Sequence, residues 1–114
     1  MSNSTDCIFC KIVAGDIPSE QVYSDDKVIV FKDISPQAPV HLLLIPREHI
    51  VSLQDLQEQH KDLMGHMMLL LPKLAEEQGL DGGFRTVINT GADGGQVVYH
   101  LHLHLLGGKR YSDF

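Results

Sequence analysis

The run His100-Leu101-His102-Leu103-His104-Leu105-Leu106 places histidine at every second position. An extended strand sends successive side chains to opposite faces. This spacing therefore gathers His100, His102 and His104 on one face and sets Tyr99, Leu101, Leu103 and Leu105 on the other, where they can pack against helices. Imidazoles a pleat apart suit two chemistries. They can ligate a metal ion, or they can surround a phosphoryl group, one attacking phosphorus while the others donate hydrogen bonds to its oxygens. A merely solvated strand face has no reason to alternate histidine so strictly with leucine.

The same face test links His41 with Leu43 in Val40–Ile45, and Ile29, Phe31 and Asp33 in Lys27–Asp33. A carboxylate beside an aromatic on an apolar face suits a nucleoside: Phe31 packs on the base and Asp33 accepts the ribose hydroxyls. Asp33 is equally placed to open the turn at Ile34-Ser35-Pro36. Cys7 and Cys10 form a Cys-x-x-Cys pair, which reads as a metal or redox pair in a reducing compartment. Such a pair supplies only part of the tetrahedral set that a structural zinc requires. The Gly91–Gly95 loop lacks the Lys-Ser/Thr ending of a P-loop and precedes a strand, so it reads as a turn or a loop that lets backbone approach phosphate. His60 and His66 lie too far apart to share a helical face, which leaves at least one solvated. Met64, Met67 and Met68 read as core filler, and Asp25-Asp26 and Glu76-Glu77 as solvated surface.

Several elements must position these groups. A short helix around Cys7–Ile12 ends at Gly15 and Pro18, and strands at Gln21–Ser24 and Lys27–Asp33 flank a hairpin at Asp25-Asp26. Ser35–Pro39 is a turn, and Val40–Ile45 is a strand closed by Pro46. Ser52-Leu53-Gln54-Asp55 resembles a capping box that opens a helical region. A helix from His60 to Gln78 carries Leu63, Met67, Leu70, Leu71 and Leu74 at helical spacing, with a kink or break expected at Pro72 and a stop at Gly79. Phe84–Thr90 and Val97–Leu106 complete the strands. Short turns between strands, with one long helical insertion, indicate an α+β fold with an antiparallel sheet.

The 114 residues carry a net charge of −6, seven His, two Cys and no Trp, with 43% hydrophobic and 21% charged residues. This size fits a single domain, 1–114, with residues 1–5 expected to be disordered. The acidic balance argues against a partner that is a nucleic-acid polymer or an anionic membrane surface, since both require a basic face. The N-terminus lacks a signal core, and no apolar stretch approaches the roughly 20 residues of a membrane span, so a cytoplasmic protein is expected.

The segments Asp33–His41, Gly94-Gly95-Gln96 and Val98–Gly108 resemble the histidine triad superfamily, and within it the Hint-like branch of nucleotide-binding hydrolases, bacterial type with a Cys-x-x-Cys pair. The resemblance runs from Cys7 to Lys109. It implies an antiparallel sheet of about five strands with one long and one short helix, dimerising into a continuous sheet. It also implies hydrolysis of purine nucleoside phosphoramidates or aminoacyl adenylates through a covalent nucleotidyl-histidine. The alternatives are a dinucleoside polyphosphate hydrolase and a non-catalytic module that binds zinc and nucleotide.

Carried over by position, His102 is the nucleophile, and His41 and His104 steady phosphoryl oxygens or move protons to the leaving amine. Asn89, Gly95, Gln96 and the amide of Val97 contact phosphate, Asp33 holds the ribose, and Ile8, Phe9, Ile12, Phe31, Ile34 and Leu43 line the base pocket. The resemblance further implies a structural zinc on Cys7, Cys10, His49 and His100, which takes His100 away from the phosphoryl site. Val97 stands where many relatives carry a Ser, leaving only a backbone donor there, and the tail after Lys109 is shorter than in some relatives.

Overall fold

The computed structural model of the chain describes residues 6–112, so the expectation for residues 1–5 lies outside the described residues. Helix α1, Ile8–Ala14, starts where the Cys7 sulfur accepts the Cys10 N–H and stops at Gly15, whose φ of 82° suits a residue without a Cβ. Strands β1 (Gln21–Ser24) and β2 (Val28–Lys32) follow, joined by a turn in which the Asp25 carboxylate accepts the Lys27 and Val28 N–H groups at 2.8 and 2.9 Å. Strand β3 (Val40–Pro46) precedes helix α2 (Lys61–Glu77), and β4 (Arg85–Val87) and β5 (Leu103–Gly107) come last. The five strands form one sheet in the order β1-β2-β3-β5-β4, every pair antiparallel. Two helices and this sheet are the α+β architecture expected.

The sheet's faces pack separately. Val28, Val30, Leu42, Leu44, Leu103 and Leu105 point toward α2 and bury Met67, Leu70, Leu71 and Leu74. Ile29, Phe31, Leu43 and Ile45 point the other way and meet Phe9 and Ile12 of α1.

Four local expectations need correction. The helix runs unbroken through Pro72; Pro72 and Met68, the residue whose carbonyl it leaves without a donor, are both on the exposed side, where water can serve that carbonyl. Ser52 caps only a short 3-10 turn, Leu53–Asp55, rather than the long helix. The Phe84–Thr90 segment is strand only over Arg85–Val87. The final strand begins at Leu103, not Val97: the His100 carbonyl, which a ladder would use, accepts instead from the His102 ring at 2.7 Å. Tyr99, outside the strand, is therefore exposed, while Leu101, Leu103 and Leu105 stay buried as the alternation requires. Met67 fills the core, but Met68 is exposed.

Candidate active site and metal centre

On the α1 face, the short helix leaves a cavity of about 380 Å³ between itself and the sheet. Its apolar wall comes from Ile8, Phe9 and Ile12 of α1 and from Phe31 and Leu43 of the strands, with Phe9 and Phe31 packed edge to face at 5.6 Å. Asp33, Ile34, Asn89, Gly95, Val97, His102 and His104 also line it. Ile34 and Val97 are 96% and 85% exposed, so both stand free at its rim. Asp33 opens the turn, one carboxylate oxygen accepting the Ser35 N–H at 2.8 Å, while the other lies 3.4 Å from His41 Nε2.

The three histidines of the run separate. His102 and His104 remain neighbours on the cavity wall, their ring centroids 5.0 Å apart. His102 Nδ1 lies 2.7 Å from the His100 carbonyl, and since that oxygen can only accept, Nδ1 carries the proton and Nε2 keeps its lone pair. His41 does not line the cavity; it is buried, with its Nε2 2.9 Å from His104 Nδ1. Burial pushes all of these rings toward the neutral form: His102 and His41 fall below the ordinary histidine value, and His104 falls to about 4, helped by repulsion from its two histidine neighbours. A cluster of neutral imidazoles can attack, donate and accept near pH 7.

Gln96, like His41, is a predicted site residue that does not line the cavity. Its amide accepts from Gly91 N–H at 2.9 Å and donates to the carbonyls of Val51 and Val98, bracing the loop instead. Asn89 reaches the same loop, donating to the Gly94 carbonyl at 2.8 Å while still lining the cavity. The loop from Gly91 to Gly95 turns through positive φ at both ends, 70° and 81°, a path that favours glycine. Sequence reasoning missed Ile17, Pro18 and Ser19, which line the cavity from the α1–β1 connection; they read only as helix-ending punctuation.

The first histidine, His100, is fully buried beside the cysteine pair. Cys7 Sγ lies 3.3 Å from His100 Nδ1, and Cys10 Sγ lies 3.0 Å from His49 Nδ1. The ligand atoms of Cys7, Cys10, His49 and His100 all fall within 4.8 Å of one another. His100 donates its other nitrogen to the Pro46 carbonyl at 2.8 Å, which leaves Nδ1 bare and aimed at the thiols. Burial also holds its ring neutral, down to about 4. Burial and the neighbouring Cys7 push the Cys10 thiol up to about 11, an arrangement a bound cation would reverse. Two thiols and two imidazoles converging on one point are a tetrahedral zinc donor set, and these residues fit that ion.

Of the other two histidines, His60 is buried and His66 is partly exposed. His60 Nε2 lies 3.2 Å from Glu48, and His66 Nε2 lies 2.7 Å from Asp25, which also accepts from Tyr23. Asp25 is therefore an internal acceptor rather than solvated surface.

The chain matches the protein family described as "Scavenger mRNA decapping enzyme C-term binding" over residues 6–114. It is 48% identical over 103 residues to the purine nucleoside phosphoramidase of Escherichia coli (strain K12), covering 90% of this chain and 87% of that one. It is 50% identical over 109 residues to the 14 kDa zinc-binding protein of Brassica juncea, covering 94% and 96%. The crystal structure of a HIT family hydrolase from Legionella pneumophila Philadelphia 1 superposes with a TM-score of 0.92 at 44% identity, covering 94% of this chain and 96% of that one.

Proposed function

The chain belongs to the histidine triad (HIT) family of hydrolases, and from that premise we propose that it cleaves purine nucleoside 5′-phosphoramidates and aminoacyl adenylates through a nucleotidyl-histidine on His102. The observation that carries this reading is the His100 carbonyl holding the His102 Nδ1 proton, which aims a lone pair from Nε2 at the cavity wall. The nucleoside base packs between α1 and Phe31, and Asp33 accepts from the ribose hydroxyls. His102 Nε2 attacks the α-phosphorus, a P–N bond to histidine forms, and the bond to the leaving amine or acyl oxygen breaks. A leaving amine takes up a proton from water, whereas an acyl group leaves as its carboxylate. Water then attacks phosphorus, the P–histidine bond breaks with its electron pair returning to Nε2, and a nucleoside monophosphate leaves. His104, the glycine loop and the Val97 N–H face the phosphoryl oxygens throughout.

We assign Cys7, Cys10, His49 and His100 to a structural zinc. Bound there, the ion ties α1 to the segment that precedes β5, and it supplies no group to the reaction. The partner we propose is a second copy of the chain. Strand β4 is an edge strand, and Leu69 and Met68 stand 70% and 48% exposed on α2; a dimer that continues the sheet would use the first and cover apolar surface such as the second. Among the described residues, no helix is long and apolar enough to cross a membrane. The free cysteine pair supports a reducing compartment, the cytoplasm.

The test is steady-state kinetics on a panel of adenosine and guanosine phosphoramidates and dinucleoside polyphosphates, with acid-quenched protein analysed for a nucleotide adduct. The expected result is preferential cleavage of phosphoramidates and an adduct on His102. Equal cleavage of dinucleoside polyphosphates would favour the polyphosphate reading, and full turnover by His102→Ala would remove the covalent route.

A further inference from the structure

We infer that the backbone amide of Gln37 sets the proton positions of the His41–His104 pair, making His104 a hydrogen-bond donor toward the bound phosphoryl group; the role of that donor rests on the reading proposed above. The argument follows from what each group is able to do. A backbone N–H only donates. The Gln37 N–H lies 3.0 Å from His41 Nδ1, so Nδ1 is the bare nitrogen of that ring. A neutral imidazole carries one proton, which must then sit on His41 Nε2.

His41 Nε2 has two acceptors within reach. One is His104 Nδ1 at 2.9 Å, and the other is Asp33 Oδ2 at 3.4 Å. The shorter bond goes to His104, and it requires His104 Nδ1 to be bare, placing that ring's proton on Nε2. The carboxylate of Asp33 is held in its own turn by the Ser35 N–H. Among the described residues, these are the polar groups that face His41.

The consequence is a division of labour between adjacent rings. His102 has its proton on Nδ1 because a carbonyl faces it, and His104 has its proton on Nε2 because an amide, acting through His41, faces it. One presents a lone pair and the other an N–H to the same phosphoryl group. Gln37 is thus a positioning residue through its backbone. Its side chain is exposed and donates to the Ser35 carbonyl at 3.2 Å, away from the histidines. The turn Ser35-Pro36-Gln37-Ala38-Pro39 has proline on both sides of this position, so a third proline at 37 would remove the decisive donor.

The experiment reads ring-nitrogen protonation directly, by ¹H–¹⁵N correlation of the histidine rings in the full metal-loaded chain at about pH 7.5. We expect His41 and His104 as Nε2–H tautomers and His102 as the Nδ1–H tautomer. His41 or His104 found as the Nδ1–H tautomer overturns the inference. Gln37→Ala keeps the amide and should keep these tautomers. Gln37→Pro should mix the tautomers of His104 and lower kcat roughly tenfold or more with KM within about threefold. A folded Gln37→Pro with unchanged tautomers and kcat overturns the inference; if that variant does not fold, the parent spectrum decides alone. The tautomers are read without substrate, so a protein that cleaves no phosphoramidate would remove the proposed function and leave this assignment standing.

Discussion

On the α2 side of the sheet, Val28, Val30, Leu42, Leu44, Leu103 and Leu105 are closed over by a 17-residue helix. On the α1 side, Ile29, Phe31, Leu43 and Ile45 meet a helix of seven residues. The strands supply both faces from the same alternating sequences, so the difference lies in what covers them. A long amphipathic helix fills its face to core density, whereas a short one leaves a cavity, and Asp33, His102 and His104 line that cavity. One face is therefore closed as core, and the other is left open at the proposed site. Substitutions should separate the two cleanly.

The sharpest break is His102→Ala. With the nucleophile proposed above gone, turnover should fall by about 10⁴-fold, and the unfolding free energy by less than about 2 kcal/mol. Paired steady-state kinetics and urea denaturation check both halves. A loss of folding comparable to the loss of turnover would mean that the open face is also a core.

Leu43 and Leu44 are adjacent in β3 and point to opposite faces, at 6% and 0% exposure. Leu44→Ala opens a hole under α2 and should cost about 4 kcal/mol, with KM and kcat of the folded protein unchanged. Leu43→Ala widens an existing cavity and should cost about half as much, while raising KM for the nucleotide severalfold. Denaturant midpoints and KM measured on both variants would show whether the faces are as independent as their packing.

This division was partly legible in the sequence. Alternation in Val40–Ile45 and in the histidine run placed Leu43 opposite Leu44 and His102 opposite Leu103, because a buried face tolerates no slip of register. Alternation failed where tertiary bonds replace the ladder. His100 is drawn to the cysteines, and its carbonyl is taken by the ring of His102, so residues 97–102 are not strand. Local rules count the missing N–H of Pro72 and so expect a kink or break, but its exposed position removes most of that cost. The bonds from Asp25 to His66 and from Glu48 to His60 join residues 41 and 12 positions apart, and no local pattern announces them.

Metal removal should have the next largest effect, because the zinc proposed on the Cys/His cluster would add to the Phe9 and Ile12 packing that holds α1 over the open face. Chelation, or Cys10→Ser, should lower Tm on the order of 10 °C, equivalent to about 2 kcal/mol for a domain of this size. It should also raise KM more than it lowers kcat, since Phe9 and Ile12 of α1 line the cavity proposed to take the base. Thermal scans and KM with and without chelator test this. An unchanged KM in a destabilised protein would show that α1 keeps its place without the ion.

The smallest effect belongs to the covered face, at the latch where His66 of α2 meets Asp25 beside β1 and β2. Burial works against the Asp25 charge, but hydrogen bonds from Lys27 N–H, Tyr23 OH, His66 and Val28 N–H outweigh it and hold the carboxyl well below the usual carboxylate range. A folded-state pKa below the unfolded value of about 3.9 means that the native chain binds fewer protons in that window. Its stabilisation is then fully present above about pH 5 and is lost as pH falls through the folded-state value. His66→Ala removes one of the donors from a partly exposed pair, so it should cost about 1 kcal/mol at pH 7 and move the onset of acid unfolding to higher pH. Asp25→Asn should flatten the acid limb further, because the group that titrates is gone. Denaturant unfolding from about pH 7 down to 3 follows both variants, and kcat at neutral pH should not change in either, since the latch lies across the sheet from the cavity.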